Sequence, residues 1–99
     1  MTRDQFIQKL KTDLNRWSEQ IDAWEGALDE ADGRLRARLQ PHLDAWRDQR
    51  SLTEHRLREM QLSSGAAWED TARRVDRAWH DLADAYHRAR EEFESRTLH

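Results

Sequence analysis

The chain reads IQKLKTDLNRWSEQIDAWEGAL from residue 7 to residue 28. Apolar side chains recur there at alternating steps of three and four residues, and the pattern continues to residue 35. This heptad spacing is typical of a helix that buries one stripe against other helices. The stripe contains Ile7, Leu10, Leu14, Trp17, Ile21, Trp24, Leu28, Ala31 and Leu35. Just before it, Thr2 and Gln5 have the spacing of a capping box, which predicts the start of the helix.

The last third of the chain repeats this pattern. Its stripe contains Trp68, Ala72, Val75, Trp79, Leu82, Tyr86, Ala89 and Phe93. The preceding Ser63-Ser64-Gly65 is the best break in the chain, and we expect one of its serines to be the N-cap of the last helix. Glu69 and Asp70 then fall in the first turn, where acidic side chains favour the positive end of the helix dipole.

The middle of the chain is less regular. Apolar residues fall at Leu35, Leu39, Leu43 and Trp46, but Arg50 and Thr53 take the next two stripe positions before Leu57 and Met60 resume the pattern. Two successive four-residue steps interrupt a heptad and locally unwind a coil. Gly33 could end a helix, and Pro41 is tolerated in a first turn but kinks a helix interior.

These patterns predict one all-α domain over residues 1–99, built from antiparallel coiled-coil helices with helical segments at about 3–32, 34–62 and 66–96. Two architectures remain open. In the first, the chain turns at Gly33 and forms a three-helix bundle. In the second, one long helix, kinked between Gly33 and Pro41, runs to about Leu62, and the last helix returns along its second half. The second architecture would leave Trp17, Ile21 and Trp24 uncovered unless a second chain packs on them.

Composition excludes several classes of protein. The 99 residues contain no cysteine and 37% charged side chains, so disulfides and thiolate metal sites are excluded and a cytoplasmic location is favoured. No stretch approaches the roughly 18 apolar residues of a membrane span. Met1–Leu14 carries five charged residues and lacks the apolar segment of a signal peptide.

Charge is unevenly distributed along the chain. Residues 1–33 carry four basic and eight acidic side chains, residues 34–62 seven and four, and residues 63–99 six and eight. An acidic, basic, acidic succession suits neighbouring antiparallel helices. The basic stretch also suggests a DNA-binding module, although the formal net charge of -3 opposes sequence-independent binding of nucleic acid. Its arginines are Arg34, Arg36, Arg38, Arg47, Arg50, Arg56 and Arg58.

Catalytic and metal-binding patterns are weak. His80, Asp84, His87 and Glu91 share one face of the last helix, but that face lies opposite the apolar stripe, so we expect a solvated surface and no metal site. The sequence has no glycine-rich phosphate loop, no His-Glu-x-x-His and no Gly-x-Ser-x-Gly. We therefore expect a protein that is not an enzyme and has no cofactor or small-molecule substrate.

The run Gly65-Ala66-Ala67-Trp68-Glu69-Asp70, followed by Val75, Ala78-Trp79, Leu82, Ala85 and Phe93, resembles the C-terminal signature of a family of short bacterial coiled-coil proteins. The opening Phe6-Ile7-x-Lys9-Leu10, with Leu14, Trp17 and Ile21, is similar to the start of that family. Its cyanobacterial and proteobacterial members are labelled stress-response or coiled-coil domain-containing. The resemblance implies a helical fold and a stress association without catalytic residues.

The chain also departs from that family. Relatives usually have Leu in place of Thr71 and often Gly in place of Arg74. They tend to run through the middle without turn residues, whereas this chain has Gly33 and Pro41. The resemblance therefore favours the long helix, while the local residues favour the bundle.

Protein–protein contact is the function that these patterns favour, and the expected partner is a second copy of the chain, in a homodimer, or another protein. The alternative is a peripheral membrane or lipid-binding protein, because five tryptophans are a high count and amphipathic helices bind lipid surfaces. The expected interaction stripe comprises Leu14, Trp17, Ile21, Trp24, Leu28, Trp68, Val75, Trp79, Leu82 and Tyr86.

Overall fold

Three α-helices make up the fold. The structure, a computed structural model, describes residues 2–28 and 33–97, with side chains as far as residue 94. Helix α1 spans Arg3–Leu28, α2 spans Gly33–Leu62 and α3 spans Ala67–Thr97. The prediction of an all-α fold is confirmed. The expected end of the first helix at residue 32 lies outside the described residues.

Local hydrogen bonds explain where α1 and α3 begin. The Gln5 backbone N–H donates to the Thr2 hydroxyl at 3.1 Å, and the Thr2 N–H donates to the Gln5 side chain at 3.0 Å, which confirms the capping box. In the connection between α2 and α3, Gly65 adopts φ +59°, a left-handed conformation that favours glycine. The expected serine N-cap is replaced by a different contact, because the Ser63 hydroxyl donates to the Met60 carbonyl at the end of α2.

The helices form an up-down-up bundle of 52 × 19 × 19 Å. Helices α2 and α3 are antiparallel, since Glu59 near the end of α2 pairs with Arg74 near the start of α3, and Arg38 pairs with Glu92 at the opposite end. Helix α1 turns back onto α2 as well, because an Arg36 guanidinium near the start of α2 donates to the Leu28 carbonyl at the end of α1.

The alternative of a long kinked helix is wrong for this chain, because α1 and α2 are separate helices that lie side by side. Pro41 lies within α2 rather than in its first turn. Its ring removes one backbone donor without ending the helix, because buried leucines on either side hold α2 against its neighbours. Those flanking leucines, Leu39 and Leu43, are fully buried.

One core runs the length of the bundle. It contains Ile7, Leu10, Leu14, Ile21, Trp24 and Leu28 of α1, Leu35, Leu39, Leu43, Trp46, Leu57 and Met60 of α2, and Val75, Leu82 and Ala89 of α3. The two residues that interrupt the apolar pattern of α2, Thr53 and Arg50, differ in burial. Thr53 is fully buried, whereas Arg50 is half-buried and approaches Glu54.

Candidate interaction surface

Five aromatic rings from α1 and α3 alternate in a single stack, which we call the aromatic column. In order along the bundle, the column contains Trp79, Trp17, Tyr86, Trp24 and Phe93. Successive ring centroids are 5.2, 5.1, 5.5 and 5.5 Å apart, and the interplanar angles lie between 14° and 29°. These are stacking distances at which aromatic pairs contribute beyond the area they bury.

Sequence spacing produces this stack. The two α1 rings are seven residues apart, and the three α3 rings are also seven apart. Because α1 and α3 run parallel, each α1 ring enters the gap between two α3 rings at the same height. The column therefore follows from the matching seven-residue spacing of rings on two parallel helices.

Trp46 of α2 supports the column from inside the bundle. It is fully buried, and its ring centroid lies 6.1 Å from that of Trp17 and 5.8 Å from that of Tyr86, at interplanar angles of 68° and 61°. Among the described residues its indole nitrogen has no hydrogen-bond acceptor.

The column is only partly shielded from solvent. Trp24 is buried at 7% exposure, but Trp17, Trp79, Tyr86 and Phe93 are half-buried. The backbone of α1 also lies further from the other two helices than α2 and α3 lie from each other. One seam of the bundle, between α1 and α3, therefore presents aromatic rings that retain apolar area to lose on contact.

Trp68 extends the seam towards the α2–α3 turn. The Arg3 guanidinium lies 3.9 Å from the Trp68 ring centroid and donates to the Ser63 carbonyl at 2.6 Å. A cation over an indole face is favourable, so Arg3 ties the start of α1 to the turn. A groove of about 500 Å³ lies beside these residues.

The structure places the ten residues of the expected interaction stripe in and around one chain's core. Six of them are buried, namely Leu14, Ile21, Trp24, Leu28, Val75 and Leu82. The other four, Trp17, Trp68, Trp79 and Tyr86, pack half-buried against that core. A second chain is therefore not needed to cover the apolar stripe of the first helix, as the long-helix architecture would have required.

Sequence reasoning missed two members of this arrangement. Phe93 was recognised as part of the last apolar stripe but not as an interaction residue, although its seven-residue spacing from Tyr86 was a usable signal. Trp46 was placed on an irregular segment. It is nevertheless fully buried, as its three-residue spacing from Leu43 on the apolar stripe of that segment indicates.

Acidic partners engage much of the basic stretch of α2. Arg38 pairs with Glu92 at 2.7 Å, and Arg47 pairs with Glu25. Arg50 and Arg56 approach glutamates on α2 itself, Glu54 and Glu59 respectively. These contacts use arginines that a DNA-binding surface would need free for phosphate.

Titratable side chains do not converge on a reactive centre in the described part of the chain. No group of three or more His, Asp or Glu that could hold a metal ion occurs among those residues, and His80, Asp84, His87 and Glu91 lie on an exposed face. The hydrogen bond from Arg90 to Glu94, with the charge of that carboxylate, raises the pKa of Arg90.

Comparisons of the chain with protein-family models, with curated proteins and with solved structures return no match. Over the described residues, no helix combines the length and the apolar character that crossing a membrane requires.

Proposed function

We propose that this protein is a non-enzymatic coiled-coil protein that acts through protein–protein contact, with a second copy of the chain as its partner. The observation that carries the proposal is the half-buried aromatic column along the α1–α3 seam. Aromatic side chains, tryptophan and tyrosine above all, are enriched among the residues that dominate protein–protein binding energy.

The surroundings of the column support a protein partner over a small ligand. Ala83 follows Trp79 by four residues and Ala72 follows Trp68 by four, so each small side chain lies beside a ring on the helix surface. Both alanines are half-buried. Small residues beside large rings make a long, shallow surface that fits another helix better than a compact molecule.

The absence of cysteine and the resemblance to short bacterial coiled-coil proteins support the rest of the proposal. On that basis the protein is bacterial, cytoplasmic and associated with a stress response.

Sedimentation velocity over a dilution series tests the partner. We expect a species of twice the 11.9 kDa chain mass at micromolar concentration, which dissociates on dilution. Added salt should shift this equilibrium only slightly, because exposed ion pairs contribute about 0–1 kcal/mol each. A single species of 11.9 kDa at every concentration would contradict self-association.

Half-buried tryptophans on an amphipathic helix also favour a second candidate, a peripheral membrane protein. The net charge of -3 opposes it, since anionic lipid repels an acidic surface. We therefore expect no co-sedimentation with vesicles that contain anionic lipid at physiological salt. Co-sedimentation together with a blue shift of tryptophan emission would place lipid binding ahead of protein contact.

A further inference from the structure

A groove of about 270 Å³ lies between α1 and α2, whereas the aromatic column lies between α1 and α3. We call it the α1–α2 groove. Its lining residues are three or four apart on each helix, which places them on one face of that helix. They are Lys11, Leu14 and Asn15 of α1, and Glu54, Leu57, Arg58 and Gln61 of α2. The two leucines are buried core residues and form the floor of the groove, so its rim is polar.

The two cations of the rim have no partner in the described part of the chain. No hydrogen bond, ion pair or ring contact of the Lys11 or Arg58 side chain occurs there. Arg58 differs in this from the other six arginines of α2, each of which interacts with another group. The side-chain amides of Asn15 and Gln61 make no hydrogen bond within the described residues either. Four donor side chains therefore surround the leucine floor without a protein acceptor.

These groups favour one kind of ligand, a carboxylate that has an aliphatic body. Arginine and lysine bind carboxylates through charge-assisted hydrogen bonds. The leucine floor and the alkyl stems of the two cations offer apolar area, which a fully polar anion such as phosphate cannot use.

The one acidic residue of the groove also favours a ligand of single charge. Glu54 lies at the rim and repels a doubly charged anion more than a singly charged one. Its carboxylate approaches Arg50, with the Arg50 Nε 3.6 Å from Oε1, so part of its charge is already balanced.

We propose that the α1–α2 groove binds a small aliphatic monocarboxylate, with the carboxylate between Lys11 and Arg58 and the aliphatic body on the leucine floor. This binding site is separate from the aromatic column and does not rest on the proposed function. A ligand there touches α1 and α2 together.

Nuclear magnetic resonance titration of the ¹⁵N-labelled protein with hexanoate tests the site. The side-chain amide signals of Asn15 and Gln61 report on the groove directly. Acetate has the carboxylate without the longer body, and hexylammonium has the body with the opposite charge. Arg58→Gln removes one cation of the rim, and the matched control Arg77→Gln removes the same charge at an exposed position of α3. Both variants should fold, because neither arginine has a partner among the described residues.

We expect hexanoate to shift both amide signals in a saturable way, with acetate and hexylammonium binding more weakly. Arg58→Gln should weaken hexanoate binding about tenfold, the cost of one charged hydrogen bond, while Arg77→Gln should leave it unchanged. Equal affinity of Arg58→Gln and the natural chain would overturn the proposal, as would acetate or hexylammonium binding as tightly as hexanoate. Shifts confined to the aromatic column, or no shifts at all, would overturn it as well.

Discussion

Trp46 has no solvent contact, although it lies on the segment of the chain whose spacing is least regular. It supports two rings of the aromatic column, whereas Trp79 stacks on one ring of the column and is half-buried. The two tryptophans therefore differ in what their removal leaves behind. Removal of the Trp46 side chain opens a cavity in the centre of the bundle, whereas removal of the Trp79 side chain opens a gap that water reaches.

Trp46→Ala is expected to lower the free energy of unfolding by about 3–5 kcal/mol, the range for a buried Trp. Trp79→Ala should cost about half as much, because solvent already reaches part of its ring. Urea denaturation followed by circular dichroism measures both, with Leu62→Ala as the control at an exposed position. Equal costs at Trp46 and Trp79 would contradict the placement of the two rings.

The structure explains why the polar Thr53 interrupts the apolar heptad pattern of α2. Its hydroxyl donates to the Gln49 carbonyl at 2.7 Å, and its small side chain lies fully buried where α2 meets the Ala78 backbone. A leucine would restore the heptad pattern but would not fit. We expect Thr53→Leu to destabilise the bundle by about 1–3 kcal/mol through overpacking. An unchanged or raised urea midpoint would show that α2 and α3 have room to spare there.

The two glycines Gly26 and Gly65 are expected to have opposite effects on stability. Gly26 lies in the last part of α1 and Gly65 in the turn before α3, and an added Cβ meets no atom within 4 Å at either position. Of these two glycines, only Gly65 has a positive φ. The two positions are a matched pair in which backbone conformation is the main difference.

Gly26→Ala should stabilise the protein by about 0.5–1 kcal/mol, because alanine loses less freedom in a helix. Gly65→Ala should destabilise it by about 1–2 kcal/mol, because the left-handed conformation brings Cβ close to the next carbonyl. Thermal melting of both variants against the natural chain measures the difference. A rise in melting temperature for Gly65→Ala would contradict the turn geometry.

Helix α1 should open more readily than the other two helices, because its backbone lies further from α2 and α3 than these lie from each other. Hydrogen exchange in the native state is expected to show α1 amides, around Trp17 and Trp24, exchanging before those around Trp46 and Leu82. Exchange of all three helices at one common rate would mean that the bundle opens as a single unit. The α2–α3 hairpin would then have no stability of its own.

The sequence predicted the individual helices well but not how these helices pack against one another. Regular spacing in α1 and α3 predicted both helices and most of the core, and the Thr2–Gln5 pair predicted where α1 begins. The choice between the bundle and the long helix depended on residues near Gly33, where weak local preferences compete with packing. The prediction that Ser63 or Ser64 is the N-cap of the last helix was wrong, because α3 begins only at Ala67, and the Ser63 hydroxyl instead donates to the Met60 carbonyl at the end of α2.

A bundle 19 Å across has little interior, and only 36% of the residues are hydrophobic. Large aromatic side chains compensate, because each buries a large area with few torsions to fix. This use of aromatic side chains also determines what the surface of the molecule presents. Four rings of the aromatic column remain partly at the surface, whereas Trp24 is buried.

Small-angle X-ray scattering on the protein as it elutes from a sizing column tests the central claim, that the partner is a second copy. The described Cα atoms of a single bundle have a radius of gyration of 15.8 Å. We expect a scattering mass of twice 11.9 kDa with a clearly larger radius of gyration, in a peak that moves later on dilution. A mass of 11.9 kDa with the dimensions of one bundle, at every concentration loaded, would contradict it.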